Sequence, residues 1–320
     1  MSSERVPVPE FRQIRGIDNT SNPVRVSSSK MRHFLSLVNY YTDREGMLHT
    51  RDGFNQSISG SNIHSLFEDV FIEGSTLKQF TGNGSIALTT LSTTHEAEYA
   101  RSSDRIFLTN ETDIGYIKDY RYTPFLGTGK TYKIRMPAGQ LIEHYRGRLY
   151  VAKGSKVYIS DGIAYGVTDI RDGFLRFGGY VTMFKAVTSG IYVSCSGATF
   201  FLAGESPDKF VSKRVLGCAA IQGSALAIED ININLSFFRR LPQGELVALW
   251  LGSDGYVYIG FSDGVVRVVS EYMMSVDPSN KARACFRMVG STPQYVVTIQ
   301  TEAFTGQITT SQLSQGTIGF

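Results

Sequence analysis

The sequence is poor in the features that mark several protein classes. Its three cysteines, Cys195, Cys218 and Cys285, are an odd set without C-x-x-C spacing, which argues against a disulfide framework or a structural zinc and predicts free thiols in a reducing compartment. No run approaches the roughly 18 apolar residues of a membrane-spanning helix, and the opening MSSERVPVPEFRQIRG lacks the apolar stretch of a signal peptide. The expectation is a chain made in the cytoplasm that stays soluble. Neither charge dominates: 32 basic and 29 acidic residues leave a formal net charge of +3, too even for a dedicated nucleic-acid binder.

Catalytic signatures are missing as well. The histidines at 33, 49, 64, 95 and 144 stand singly, with no H-x-H or H-E-x-x-H spacing to hold a catalytic metal. No G-x-S-x-G elbow occurs. FLGTGKTY imitates the end of a phosphate-binding loop, but Pro124 stands where the first glycine is needed, and TYKIRMPAG has no helix to follow. Glu68, Asp69, Glu96, Glu98, Glu229 and Asp230 include carboxylates that could flank a sugar, although spacing alone pairs none of them. The expectation is a non-enzyme without cofactor or metal.

What the chain does have is 17 Tyr, 20 Phe and 32 Gly, a composition of short strands and tight turns. GRLYVAKGSKVYISDG (147–162) is echoed by GIYVSCSGATFFLAG (190–204), and the pattern of strand, small turn and strand occurs five times. VFIEGSTLKQF, IFLTNETDIGYI, LYVAKGSKVYI, IYVSCSGATFFL and VYIGFSDGVVRVV each place an aromatic second: Phe71, Phe107, Tyr150, Tyr192 and Tyr258. The intervals are 36, 43, 42 and 66 residues, the last long enough for a degenerate unit in SALAIEDININLSFF or an insertion, and Tyr295 in QYVVTIQ falls 37 residues after Tyr258.

Recurrence of hairpins at about 40 residues predicts an all-β β-propeller of about five to seven blades, each burying its faces against its neighbours. A two-sheet sandwich is the competing architecture. Asp-Gly pairs at 161–162, 254–255 and 263–264 predict type I′ hairpin turns. They lack the spacing of sialidase aspartate boxes. Residues 1–30 read as an extended arm, 31–300 as the propeller with a strand at 34–41, and 301–320 as a polar tail with isolated apolar anchors.

The order of segments resembles a family of tailed-phage tail hub or nozzle propellers, the tail tubular protein B-like virion proteins. RGIDN (15–19) opens the likeness, and VNYYTDREGMLHTRDGF (38–54) carries Asn39, Gly46, Leu48, Arg51, Gly53 and Phe54 at family-like positions. The segments at 63–80, 141–162, 174–210 and 246–274 follow in family order. Only about 20 residues separate IFLTNETDIGY from MPAG, where many relatives carry an inserted sandwich-like domain.

The resemblance implies a structural virion protein in the phage tail. It implies a homo-oligomeric ring, by analogy a hexamer, below the head–tail connector, with phage DNA passing through the lumen without sequence-specific binding. It also implies adaptor and tail fibre or tailspike proteins as partners and no small-molecule substrate. The implied anchors are Asn39, Gly46, Arg51, Gly53, Phe71, Phe107, Tyr150, Tyr192 and Tyr258. The alternative is a propeller that binds or degrades host glycan.

Overall fold

The computed structural model describes residues 60–82, 84–229, 245–269, 281–289 and 292–300, together with the backbone of strands Ile14–Ile17, Arg32–Phe34, Tyr40–Thr42, Leu48–Thr50 and Gln315–Gly319. Among the described residues, six antiparallel sheets of three or four strands follow one another along the chain. Sheet I comprises Ile63–Phe67, Val70–Glu73, Thr76–Phe80 and Ser85–Thr90. Sheet II comprises Glu98–Ser102, Arg105–Thr109, Ile114–Lys118 and Arg121–Pro124, and sheet III Leu141–Tyr145, Arg148–Lys153, Lys156–Ile159 and Phe174–Arg176. Sheet IV comprises Val181–Val187, Gly190–Cys195, Ala198–Ala203 and Val211–Leu216, and sheet V Leu226–Glu229, Leu246–Leu251, Val257–Gly260 and Val266–Val268. Sheet VI has three described strands, Lys281–Val289, Thr292–Gln300 and Gln315–Gly319.

Strand order within every sheet is the order of the sequence, and the first strands of sheets II to VI lie next to one another in succession. Radial meanders sharing an inner ring of first strands make the fold a β-propeller. Five apolar seams join the six sheets. Val70 and Ile72 meet Tyr99 and Leu108; Phe107 and Ile114 meet Leu149 and Val151; Tyr150 and Ile159 meet Phe184 and Val193. Tyr192 and Phe201 meet Trp250 and Tyr258, and Leu251 and Phe261 meet Tyr295 and Val297. A sheet covered on both faces needs apolar residues at every position rather than at alternate ones. RLYVA, GIYVSC and LVALWL are therefore nearly continuous apolar runs.

The aromatic repeat holds with a change of phase at its end. Phe71, Phe107, Tyr150 and Tyr192 all lie in second strands and are fully buried. Tyr258 lies in the third strand of sheet V, where it pairs across the ladder with Trp250 and stacks on it with centroids 5.9 Å apart. Trp250 and Tyr295 are the second-strand aromatics of sheets V and VI. The 66-residue interval thus arises because VYIGFSDGVVRVV supplies third and fourth strands, and SALAIE supplies the first strand of the same sheet. At Gly260 a Cβ would lie 2.6 Å from the Tyr192 ring and 2.8 Å from Trp250, so only glycine lets the aromatics close here.

Turn chemistry differs from expectation. In Asp254-Gly255 and Asp263-Gly264 only the glycine has positive φ, and the glycine N–H closes a turn to Gly252 or Phe261. These are type I turns ending in a left-handed glycine, not type I′. Ser160-Asp161-Gly162 opens an excursion before the fourth strand of sheet III. Paired positive φ values occur instead at Asp119-Tyr120, Arg146-Gly147 and Ser196-Gly197.

The segment at 34–41 corresponds to strands at 32–34 and 40–42, with 35–39 outside the described residues. Ile14–Ile17, in the predicted arm, pairs in parallel with Arg32–Phe34, and Gln315–Gly319, in the predicted tail, pairs with the second strand of sheet VI. Asn39, Gly46, Arg51 and Gly53 lie outside the described residues.

Candidate functional site: the polar axis and its mouth

Charged side chains interrupt four of the first strands and pair with one another between sheets. Glu98 stands in sheet II, Glu143 in sheet III, Lys185 in sheet IV and Arg283 in sheet VI. Lys185 Nζ donates to Glu143 Oε2 at 2.7 Å, with the two side chains 22% and 13% exposed. Burial works against the Lys185 ammonium, but Glu143 and the more distant Glu98 outweigh it and raise its pKa above the ordinary lysine value. Arg283 donates to Glu96 at 2.8 Å through Nη2 and to Glu98 through Nη1, tying sheet VI to sheet II. Burial opposes the Arg283 charge too, and Glu98 and Glu96 together outweigh it.

Above these pairs opens a cavity of about 340 Å³ lined by Thr94, His95, Glu96, Glu98, Glu111, Gln140, Gln222, Lys281 and Arg283. Most of them stand at or just before the start of a first strand, and Glu111 sits in the hairpin between second and third strands of sheet II. Antiparallel meandering brings all these positions to one face of the propeller. Gln140 is spent inside the fold: its amide donates to Gly154 O and Val181 O, and its carbonyl accepts Gly154 N–H. Tyr180, just before the first strand of sheet IV, is 48% exposed. Burial and nearby Glu111 raise its phenol pKa, while the Gln222 side chain hydrogen-bonds the hydroxyl and opposes the rise.

Of the carboxylates singled out in the sequence, Glu96 and Glu98 come together here on one guanidinium. Glu68 and Asp69 lie instead in a second cleft between sheets I and II, where Glu68 pairs with Arg101 and Asp69 accepts from Gln79. Glu229 is exposed at the end of its strand, and Asp230 is outside the described residues. The sequence reading missed Lys185, Glu143 and Arg283. The available signal was a charged residue interrupting otherwise apolar strands, as in VTMFKAV and LIEHY.

The remaining candidates have structural surroundings. His144 is half-buried beside Tyr165, and burial lowers its pKa. His64 contacts Ser65 Oγ and Gly74 O. Among the described residues no three His, Cys, Asp or Glu side chains group to hold a metal, and no helix is long and apolar enough to cross a membrane. Gly129-Lys130-Thr131 leads into the strand Lys133–Arg135 rather than a helix. The three cysteines are unpaired.

No family model and no curated protein matches the chain. Among solved structures it is similar to BBS1N, solved in complex with ARL6DN, at 12% identity and a TM-score of 0.48, over 72% of this chain and 70% of that one. It is also similar to the extracellular domain of BT4673 from B. thetaiotaomicron, at 12% identity and a TM-score of 0.46, over 74% of this chain and 30% of that one. PorZ, a surface component of the type-IX secretion system of Porphyromonas gingivalis, is similar at 12% identity and a TM-score of 0.37, over 81% and 35%.

Proposed function

We propose that this β-propeller is a structural subunit of a tailed-phage tail, a hub or nozzle ring below the head–tail connector. Its ring partners are further copies of itself, six in the form the sequence resemblance implies, with adaptor proteins and tail fibres or spikes attached around it. The observation that carries this reading is an apolar surface left in water by the single chain. Between sheets II and III a two-stranded ribbon, Lys133–Arg135 against Val167–Asp169, stands out with Leu126, Tyr132, Ile134 and Ile170 exposed. Beside it Ile163 is 81% exposed at φ +65°, a conformation that a β-branched residue adopts only under strain.

The ribbon is tied to sheet III, where Thr168 Oγ1 donates to Ile159 O at 2.7 Å and Lys133 reaches Asp161 at 2.8 Å, and Met136, just past its first strand, is buried in the seam between sheets II and III. Within it Lys133 reaches Asp169 at 3.4 Å, and Arg171 stacks over Tyr132 at 4.3 Å. Rigid, exposed apolar surface of this kind suits a subunit contact. The axis bears on the conduit role in one respect. Ion pairs link inner strands across it, and this reading takes DNA through the lumen between copies rather than through the propeller.

Quantitative mass spectrometry of purified particles from the source culture tests the assignment. A few fixed copies per virion relative to the major capsid protein is the expected result. Absence from otherwise complete particles overturns it.

A further inference from the structure

In the outer half of sheet III the turn at Gly154 sets Lys153 directly opposite Lys156, and Lys156 in turn stands directly opposite Arg176 on the fourth strand. Directly paired residues of antiparallel strands point to one face with Cβ atoms about 5 Å apart, so three cations form a row across the sheet. Like charges so placed repel, and strand lysines elsewhere in the propeller are neutralised: Lys78 by Glu73, Lys118 by Asp104 and Lys185 by Glu143. None of the three cations in the row has a carboxylate or a side-chain hydrogen bond among the described residues. We propose that this row is a binding site for a compact phosphate group carrying two or more negative charges.

The row is built into a fixed frame. Lys156 Nζ and Arg176 Cζ lie 5.3 and 5.9 Å from the centroid of a single ring, Phe174, which holds both heads near one point of the surface. Buried Gln140 pins the turn between the lysines: its carbonyl accepts Gly154 N–H at 2.9 Å, and its amide donates to Gly154 O at 3.2 Å. Phe177 N–H donates to Ser155 O at 2.9 Å and fastens the end of the fourth strand to the same turn. Lys153 and Arg176 are exposed and Lys156 is half-buried, so the heads are open to a ligand. Charge selects the anion. A single carboxylate leaves two cations unanswered, whereas a phosphate monoester brings about −1.5 to −2 charges on three acceptor oxygens at neutral pH. Lysines meet phosphate as point charges, and the arginine adds directed donors. The inference does not rest on the tail assignment, and particle composition leaves it unaffected.

Isothermal titration of the full chain at low ionic strength tests it, with pyrophosphate and tripolyphosphate as probes, citrate as a carboxylate of comparable charge, and an oligothymidylate as the phosphodiester control. Tripolyphosphate is expected to bind more tightly than pyrophosphate, and both more tightly than citrate and, per phosphate, than the oligothymidylate. Lys156→Gln and Arg176→Gln each weaken tripolyphosphate binding by about five- to tenfold, and Phe174→Leu, which releases the two heads, by about threefold. Lys213→Gln, at an exposed lysine on the fourth strand of sheet IV, stays within about twofold. Failure of both condensed phosphates to bind overturns the proposal. So does an equal loss in Lys213→Gln, which reduces the effect to general attraction by surface charge. Citrate binding as tight as that of tripolyphosphate, or tighter binding of the oligothymidylate, overturns it in favour of carboxylates or of a nucleic-acid backbone.

Discussion

The seams between sheets and the axis they surround solve the same problem with opposite chemistry. Each seam is apolar and closed, as where Tyr192, Trp250 and Tyr258 interlock between sheets IV and V. The axis instead holds Glu143, Lys185, Glu98 and Arg283 in pairs that still reach water. The contrast teaches where stability and specificity reside. Burial of aromatic surface is non-directional and large, whereas a partly buried ion pair roughly balances its own desolvation and mainly dictates which strands face each other.

Truncation in the seam should produce the largest loss. Trp250→Ala empties the contact with Tyr192 and Tyr258, and about 3–5 kcal/mol of stability should go with it, read as a shift in the urea midpoint. On the axis, Lys185→Ala leaves Glu143 without its cation. A loss of about 2–3 kcal/mol is expected, below the figure for a fully buried pair because water still reaches both groups. If the axis acts chiefly through specificity, the double change Lys185→Met with Glu143→Leu should recover most of that loss. A double variant no better than the single one would show that the pair itself stabilises the fold.

Smaller effects sharpen the comparison. Tyr192→Phe removes the hydroxyl that donates to Phe261 O at 2.7 Å while keeping the ring, and should cost about 1–2 kcal/mol. Arg283→Ala, at a pair that is 41% exposed on the arginine side, should cost under about 1 kcal/mol. Loss there as large as at Trp250 would make the axis, not the seams, the main support.

A pH titration separates a third class of contact. At Asp169 the side-chain bond from Arg171, followed by the Arg171 backbone N–H and Lys133, holds the carboxyl well below the usual aspartate range. A depressed carboxyl contributes stability that is complete above its unfolded pKa of about 3.9 and is lost as pH falls below that value. Asp169→Asn should therefore flatten the acid limb of the stability curve below about pH 4. An unchanged acid limb would remove Asp169 from the account.

Four of the second-strand aromatics were legible because each seam needs one large ring at the same point of the repeat, and Phe71, Phe107, Tyr150 and Tyr192 recur at nearly even intervals. The fifth was misplaced at Tyr258, since a hairpin made of third and fourth strands reads like one made of second and third. The omitted Trp250 sits in LVALWL, whose continuous apolar run hides the period. The candidate site was less legible. Glu96 and Glu98 drew notice as carboxylates, but their partner Arg283 lies 185 residues from Glu98, and no local pattern links the two.

The sequence by itself determined the all-β class, the recurring unit of about 40 residues and the lack of local catalytic motifs, because strand periodicity, turn residues and motif spacing are properties of neighbours along the chain. Only the tertiary structure decided which hairpin occupies which position in sheet V and which charges share the axis. These are relations among first strands brought together by stacking of whole sheets, and the physical cause is burial of apolar faces that attract one another without regard to distance along the chain.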